Sequence, residues 1–271
     1  MTTYDFKSVE LQALKGKTIL ITGASTGIGR ETVKVAHKYG ANIAIGDWND
    51  EEGKALAEEL GERVIFRKCD VSKWDDVLEL FQETWKTFGI INAVLSNAGI
   101  TNENFLGDEI DPETGKLLPP NVKTIDINLT ATIYVVKYCH DRVAASFIDT
   151  PPLHLYCASK AGILGFMRSL RTQLIKNNNM TVNMVAPWMT LTSTLPQSIR
   201  DKWGTLPANE PWGVAYALLL PVVRPDINGK SFFVAGHHIV DFEDKLHETQ
   251  PVWMGEQLSK DVDEGQKIMI P

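Results

Sequence analysis

The chain has 271 residues, 44% of them apolar and 23% charged, with 34 acidic against 27 basic side chains and a formal charge of −7. That is a globular composition, and its acidic surplus opposes the cationic footprint that a phosphate backbone requires, so nucleic acid is not an expected partner. No run reaches the roughly 18 apolar residues of a membrane span, and Met1 to Glu10 has no basic-then-apolar leader, so no membrane partner is expected and the default compartment is cytoplasmic.

Runs rich in Val, Ile and Leu alternate with stretches of helical period, the pattern of a doubly wound parallel sheet covered by helices on both faces. In chain order the spacing predicts a strand at Lys17 to Ile21, a helix at Ile28 to Tyr39 and a strand at Asn42 to Ile45. A charged helix at Glu51 to Leu60, a strand at Val64 to Lys68, an amphipathic helix at Trp74 to Thr87 and a strand at Ala93 to Ser96 follow. From Asn102 to Asn121, Asp108, Glu109, Asp111 and Glu113 stand among three prolines, which reads as a solvated loop rather than a metal site. Val122 to about His140 and Ala158 to Lys176 are helical in pattern, Thr181 to Val185 is a short strand, Pro211 to Leu220 a helix and Ser231 to Val234 the last strand. The division expected is a domain over residues 1–240 and a polar tail over 241–271, the tail being either a cap over the site or a frayed end. Cys69, Cys139 and Cys157 are too scattered for a disulfide framework or a zinc site, and no metal is expected.

The stretch Thr22-Gly23-Ala24-Ser25-Thr26-Gly27-Ile28-Gly29 follows the first strand and opens a helix. Its backbone N–H groups can therefore face a pyrophosphate, with the glycines allowing close approach. Eighteen residues past Gly29, Asp47 ends the second strand, where a carboxylate can accept hydrogen bonds from both ribose hydroxyls and repel a 2′-phosphate. With Trp48 rather than a basic residue next, NAD is favoured over NADP; Arg30 argues the other way, and the plain alternative for Asp47 is a turn or helix-entry acid. Asp70-Val71 and Asn97-Ala98-Gly99 end the third and fourth strands on the same edge, where ligands bind parallel sheets. Tyr156 and Lys160 are four apart, on one helix face. A neighbouring ammonium should lower the phenol from about 10 towards working pH and make Tyr156 a general acid or base.

The glycine turn, Asp47, Asp70-Val71, Asn97-Ala98-Gly99, Asn128, Tyr156-x-x-x-Lys160, and Pro187 with Thr192 resemble, in order and spacing, the short-chain dehydrogenase/reductase family, with its Rossmann-like fold, over roughly residues 15 to 240. Phe232 to His238 and the acidic loop look like the fungal, NAD-dependent, hydroxyprostaglandin-dehydrogenase-like branch. The resemblance implies that Tyr156 exchanges the substrate hydroxyl proton, that Lys160 holds the nicotinamide ribose, and that Asn128 holds a water completing a proton relay. It further implies that Thr192, with the backbone near Thr190, fixes the carboxamide, and that a homodimer or homotetramer forms through the helices near 74–87 and 122–140. The expected function is hydride transfer between NAD and a small-molecule secondary alcohol or ketone.

Four departures stand against that pattern. The family's serine, thirteen residues before the tyrosine, is Val143 here, after Arg142. Only 28 positions separate Asn128 from Tyr156, so one central strand is expected to be missing or degraded, leaving its neighbours about 9–10 Å apart. A lost segment, a natural deletion in a protein that no longer catalyses and a local rearrangement all account for this; the unbroken resemblance of Ala144 to Lys160 favours the first. The second functional expectation is accordingly an impaired or inactive NAD-binding protein. Ser146 is the nearest substitute hydroxyl, though a turn role suits it better. Trp188 replaces a family glycine and either narrows the nicotinamide pocket or belongs to the core, while His237-His238, replacing another, should diverge and bind no metal.

Overall fold

In this computed structural model, residues 2–101, 109–139, 143–144, 153–178, 180–193 and 195–269 are described. Alternation of buried side chains dictates the layers. Ile19, Ile21, Ile43, Ile45, Ala93 and Leu95 face one side of the sheet, and the intervening Leu20, Ala44 and Val94 face the other.

The strands are β1 (Thr2–Tyr4), β2 (Thr18–Thr22), β3 (Asn42–Asp47), β4 (Val64–Lys68), β5 (Ala93–Ser96), β6 (Val143–Ala144), β7 (Met184–Pro187), β8 (Ser231–Ala235) and β9 (His238–Asp241). They form one sheet in the order β1-β9-β8-β7-β6-β5-β2-β3-β4, parallel from β8 to β4, with β9 and β1 antiparallel at the edge. The chain runs outward from β2 to β4, then resumes on the other side of β2 with β5. The strand order therefore reverses between β2 and β5, which is where an open α/β sheet leaves a crevice at its carboxyl ends.

Helices α1 (Gly27–Lys38) and α2 (Asp50–Leu60) cover one face together with α8 (Pro211–Val223). The opposite face carries α3 (Trp74–Phe88), α4 (Lys123–Ile125) running through a wide π-helical turn at Asp126–Thr130 into α5 (Ala131–Cys139), and α6 (His154–Asn178). The short α7 (Gln197–Trp203) lies beyond β7, and α9 (Glu243–Glu248), α10 (Gln250–Met254) and α11 (Glu256–Met269) end the chain. Asn49 starts α2 by accepting from the Glu52 N–H, and Gly89, at φ +73°, lets the chain leave α3.

Three expectations are corrected, the first of them in part. The central strand, expected to be missing or degraded, is not missing: Val143 pairs with Ser96 on one side and Met184 on the other, and Ala144 pairs with Val185, so β6 closes the gap at ladder spacing with two described residues. Arg142 and Ser146 lie outside the described residues. Helix α6 starts at His154, ahead of Ala158, and so includes Tyr156. Ser231 to Val234 is not the last strand, because Gly236 and His237, at φ +54° and +67°, turn the chain straight back into β9. After Asp241 the described chain is helical, and β9, running antiparallel, delivers its start to the amino-terminal rim of the parallel strands. There the buried Glu243 carboxylate accepts two hydrogen bonds from Arg168 Nε, at 3.1 and 3.0 Å, one from Arg168 Nη2 at 2.9 Å, one from Arg171 Nη1 at 2.9 Å and one from Ser231 Oγ at 2.8 Å.

Candidate active site

The glycine turn joins β2 to α1 directly beside the exit of β5. Gly23 has φ +64°, and a Cβ there would stand 2.5 Å from Ala98 Cα. One on Gly29 would meet the Gly23 carbonyl oxygen at 2.3 Å and Asn97 Nδ2 at 2.7 Å. Asn97 makes that closeness stable: its Nδ2 donates to the Gly23 oxygen at 2.7 Å and the Thr22 oxygen at 3.2 Å, and its own N–H donates to Thr22 Oγ1. Thr26, the residue before α1, gives no side-chain cap, so the first N–H groups of the helix around Ile28 and Gly29 are not covered by one. Ser25 is fully buried in this turn, and its Oγ has no hydrogen-bond partner among the described residues.

Asp47 is only 6% exposed and grips the same turn, accepting from the Ser25 N–H at 2.8 Å and the Asn49 N–H at 3.0 Å. Helix entry is the task of Asn49, so Asp47 is a buried carboxylate facing the turn rather than a helix-entry acid. Trp48 beside it is 75% exposed. Arg30 is committed elsewhere, to Glu59 at 2.7 Å, Glu52 at 3.4 Å and the Ser25 carbonyl at 3.2 Å. Asp70 turns its carboxylate onto the Ser72 hydroxyl and N–H, at 2.7 and 3.1 Å, and those bonds hold it below the usual carboxylate range. Val71 is buried against the α3 side of the sheet.

Asn128 sits in the π-helical turn, 1% exposed. Its Oδ1 accepts from the Ile100 N–H at 2.8 Å, and its Nδ2 donates to the Ile100 oxygen at 2.9 Å and Ser159 Oγ at 3.2 Å. The amide is thus engaged within the protein, and the backbone carbonyl accepts from Thr132 Oγ1 at 3.0 Å. Ser159, one residue before Lys160, is fully buried and ties Asn128 to the Tyr156 carbonyl, to which its Oγ donates at 2.7 Å.

Lys160 reaches the cleft from the second turn of α6. It is 8% exposed, its Nζ lies 5.5 Å from the Tyr156 ring centre, and a Cβ on Gly99 would be 3.6 Å from that Nζ. Among the described residues it has no hydrogen-bond acceptor or acidic partner, and burial alone pulls its pKa down to about 8. The expectation for Tyr156 is reversed: burial, and then Cys157, raise the phenol above its ordinary value of 10. The spacing brings the ammonium over the ring as foreseen, but burial sets the direction of the phenol's shift.

Past Pro187 the chain crosses from β7 towards the glycine turn. Thr192 arrives where a Cβ on Gly27 would touch its Cγ2 at 3.5 Å, and Thr190 Oγ1 donates to the Trp188 carbonyl. This crossing hangs on Asn209, fully buried and carried by no sequence signal, whose Nδ2 donates to the Val234 oxygen at 2.8 Å and whose Oδ1 accepts from the His237 N–H. The Trp188 ring packs at 5.6 Å from Trp203 and 6.4 Å from Phe233. His237 accepts from the Glu210 N–H at the start of α8, turned away from His238 on β9. Among the described residues no helix is long and apolar enough to cross a membrane.

A profile described as short chain dehydrogenase matches residues 17–203. Among curated relatives, the short-chain dehydrogenase/reductase ascJ of Acremonium egyptiacum is 30% identical, over 91% of this chain and 87% of its own. The short-chain dehydrogenase/reductase prx4 of Penicillium roqueforti is 25% identical, over 94% and 85%. Of solved structures, a short-chain dehydrogenase/reductase from Caenorhabditis elegans with cofactor superposes with a TM-score of 0.72 at 24% identity, covering 83% of this chain and 95% of that one. A 3-ketoacyl-(acyl-carrier-protein) reductase from Brucella melitensis complexed with NADH gives 0.71 at 22%, covering 82% and 98%.

Proposed function

The chain belongs to the short-chain dehydrogenase family of nicotinamide-dinucleotide-dependent oxidoreductases, and from that premise we propose that it moves a hydride between NAD and a secondary alcohol or ketone, with Tyr156 as general acid and base. The observation that carries the reading is Lys160: a nearly buried ammonium, without a hydrogen-bond partner among the described residues, beside the Tyr156 ring and the Gly99 backbone. A buried cation left without acceptors is costly unless something supplies them. The hydroxyls of a ribose would.

The residues present fit the rest of such a group. Gly23, Gly27 and Gly29 let the turn close against Ala98, Thr192 and Asn97, the uncovered N–H groups of Ile28 and Gly29 favour an anion, and the orphaned Ser25 hydroxyl is a donor for a phosphate oxygen. Asp47 would accept from the adenine ribose, with Asp70, Val71, Asn97, Ala98 and Gly99 lining the crevice and Pro187, Thr190 and Thr192 holding the carboxamide. The buried Asp47 and the pairing of Arg30 with Glu52 and Glu59 support NAD over NADP, since the Arg30 guanidinium is engaged by acids rather than turned to a 2′-phosphate. When bound, the nicotinamide supplies the hydride acceptor or donor. Tyr156 gives its proton to a carbonyl oxygen during reduction and takes one from a hydroxyl during oxidation, and Lys160 in its charged form favours the phenolate. Asn128 fixes Ile100 and Ser159 around that tyrosine and offers its backbone carbonyl to a relay water.

The finer readings are that the chain lies near the fungal hydroxyprostaglandin-dehydrogenase-like branch, works as a homodimer or homotetramer in the cytoplasm, and divides into a catalytic domain over 1–240 and a tail over 241–271. Calorimetric titration with NAD and NADP, run beside NADH absorbance over a panel of alcohols and ketones, tests the main proposal. Tyr156→Phe is expected to abolish turnover and leave NAD affinity nearly intact. Undiminished turnover in that variant would refute the role of Tyr156.

A further inference from the structure

The antiparallel edge of the sheet builds a second enclosure on the face opposite α6. Val234 of β8 packs into the cluster of α1 and α8; it pairs with Ile239 of β9, which pairs in turn with Tyr4 of β1. Residues directly opposite in a sheet share a face, so Tyr4 stands on the α8 side. Phe6 follows it there, edge-on to Tyr216 of α8 at 5.5 Å. Trp212 and Tyr216 are four apart on α8, hence on one helix face, with ring centres 5.5 Å apart. His237, in the turn between β8 and β9, lies against Trp212 with ring centres 4.3 Å apart and planes 30° apart. Gly213 permits that approach, since a Cβ there would meet His237 Cδ2 at 2.3 Å. These rings surround a cavity of about 290 Å³, with Asp5 in its wall. That volume is at the small end for ligand pockets and suits a head group.

The charge of the wall is one-sided. Among the described lining residues Asp5 is the one carboxylate, and there is no lysine or arginine. His237 accepts at Nε2 from the Glu210 N–H at 2.8 Å, which an imidazolium cannot do, so its ring adds no positive charge. Aromatic faces attract cations, tryptophan most strongly. Phe6 already shows that preference: the Arg224 guanidinium, outside the lining, stands 5.9 Å from its ring centre, with its charge met by Glu10 at 2.8 and 2.9 Å. Asp5 and the chain's charge of −7 both disfavour an anion.

We propose that this cavity is a second ligand site, which takes a small organic cation with a methylated ammonium head, held by the Trp212, Tyr216 and Phe6 rings with Asp5 as counter-ion. The site lies on the α1 and α8 face, whereas Tyr156 and Lys160 belong to α6 on the other, so it stands independently of the hydride-transfer reading.

The test is an NMR titration of the full chain with choline and with 3,3-dimethyl-1-butanol, its uncharged isostere. Choline is expected to bind about 3- to 30-fold more tightly, with its methyl protons shifted upfield by the surrounding rings and in contact with Trp212. Trp212→Leu, which keeps apolar bulk, should cut that preference below about 2-fold. Asp5→Asn, at an exposed position where folding is not at stake, should weaken choline about 2- to 5-fold and leave the alcohol unchanged. Equal binding of the two probes by wild type, no binding of choline, or a preference unaltered by both substitutions would overturn the inference. A chain that binds choline but not NAD would leave it standing and remove the hydride-transfer reading.

Discussion

The Lys160 ammonium lies 5.5 Å from the centre of the Tyr156 ring, and burial disfavours charge on both groups: the phenol holds its proton more firmly than usual, and the amine releases its own near pH 8. The pair is therefore costly to keep in the protein alone and gains from whatever solvates it.

That cost has a sign. Unfolded, the lysine keeps its proton to about pH 10.5; folded, it loses it at about 8, so between those values the unfolded chain binds more protons and stability rises with pH. Lys160→Met is expected to stabilise the cofactor-free protein at pH 7 by about 3 kcal/mol, with the advantage fading as pH approaches 10. Denaturant unfolding at several pH values checks it; a variant less stable than wild type at pH 7 would show that the ammonium is already satisfied.

NAD binding near pH 8 is expected to take up a fraction of a proton, because acceptors for Lys160 raise its pKa again. Calorimetry in buffers of different ionisation enthalpy reads this directly, and Lys160→Met should abolish it. Identical heats in every buffer would count against the ribose contact.

Gly23→Ala would place a methyl 2.5 Å from Ala98 Cα on a backbone at φ +64°. Both objections are to backbone, which cannot swing aside, so a loss of about 2–4 kcal/mol and at least a tenfold fall in NAD affinity are expected. Chemical denaturation with parallel NAD titration tests it, and a variant that binds normally would remove the glycine turn from the site.

Asp47→Ala releases the Ser25 and Asn49 N–H groups together. We expect about 1–3 kcal/mol of lost stability and a narrowing of the NAD-to-NADP affinity ratio. An unchanged ratio would assign Asp47 to the turn alone.

Glu243→Ala leaves Arg168 and Arg171 facing a partly buried void. Losing one partner of such a network costs roughly 3–5 kcal/mol, and hydrogen exchange should then show earlier opening of 243–269 than of β2 or β3. Uniform exchange would mean that the tail is held by something other than this carboxylate.

Strands β2 to β5 were legible to within two residues because buried aliphatics alternate there between glycines and polar turns. Strand β6 was not, since two residues carry no period, and β9 depends on His237 accepting a left-handed conformation that composition does not announce. The tail's helices share one weakness of signal: α11 buries Ser259 and little else. At the site, spacing brought Tyr156 and Lys160 together correctly but could not reveal how dry their surroundings are, and the direction of the phenol's shift follows from that dryness. Asn209 and Ser159 escaped notice because their importance lies in partners far off in sequence.

The packing across the back of the sheet also has a mechanical meaning. Helix α1, which follows β2, and helix α8, which precedes β8, pack along each other and tie the two sides of the crevice into one apolar cluster. Residues such as Val33 and Leu218 therefore set the stiffness with which the cleft can breathe.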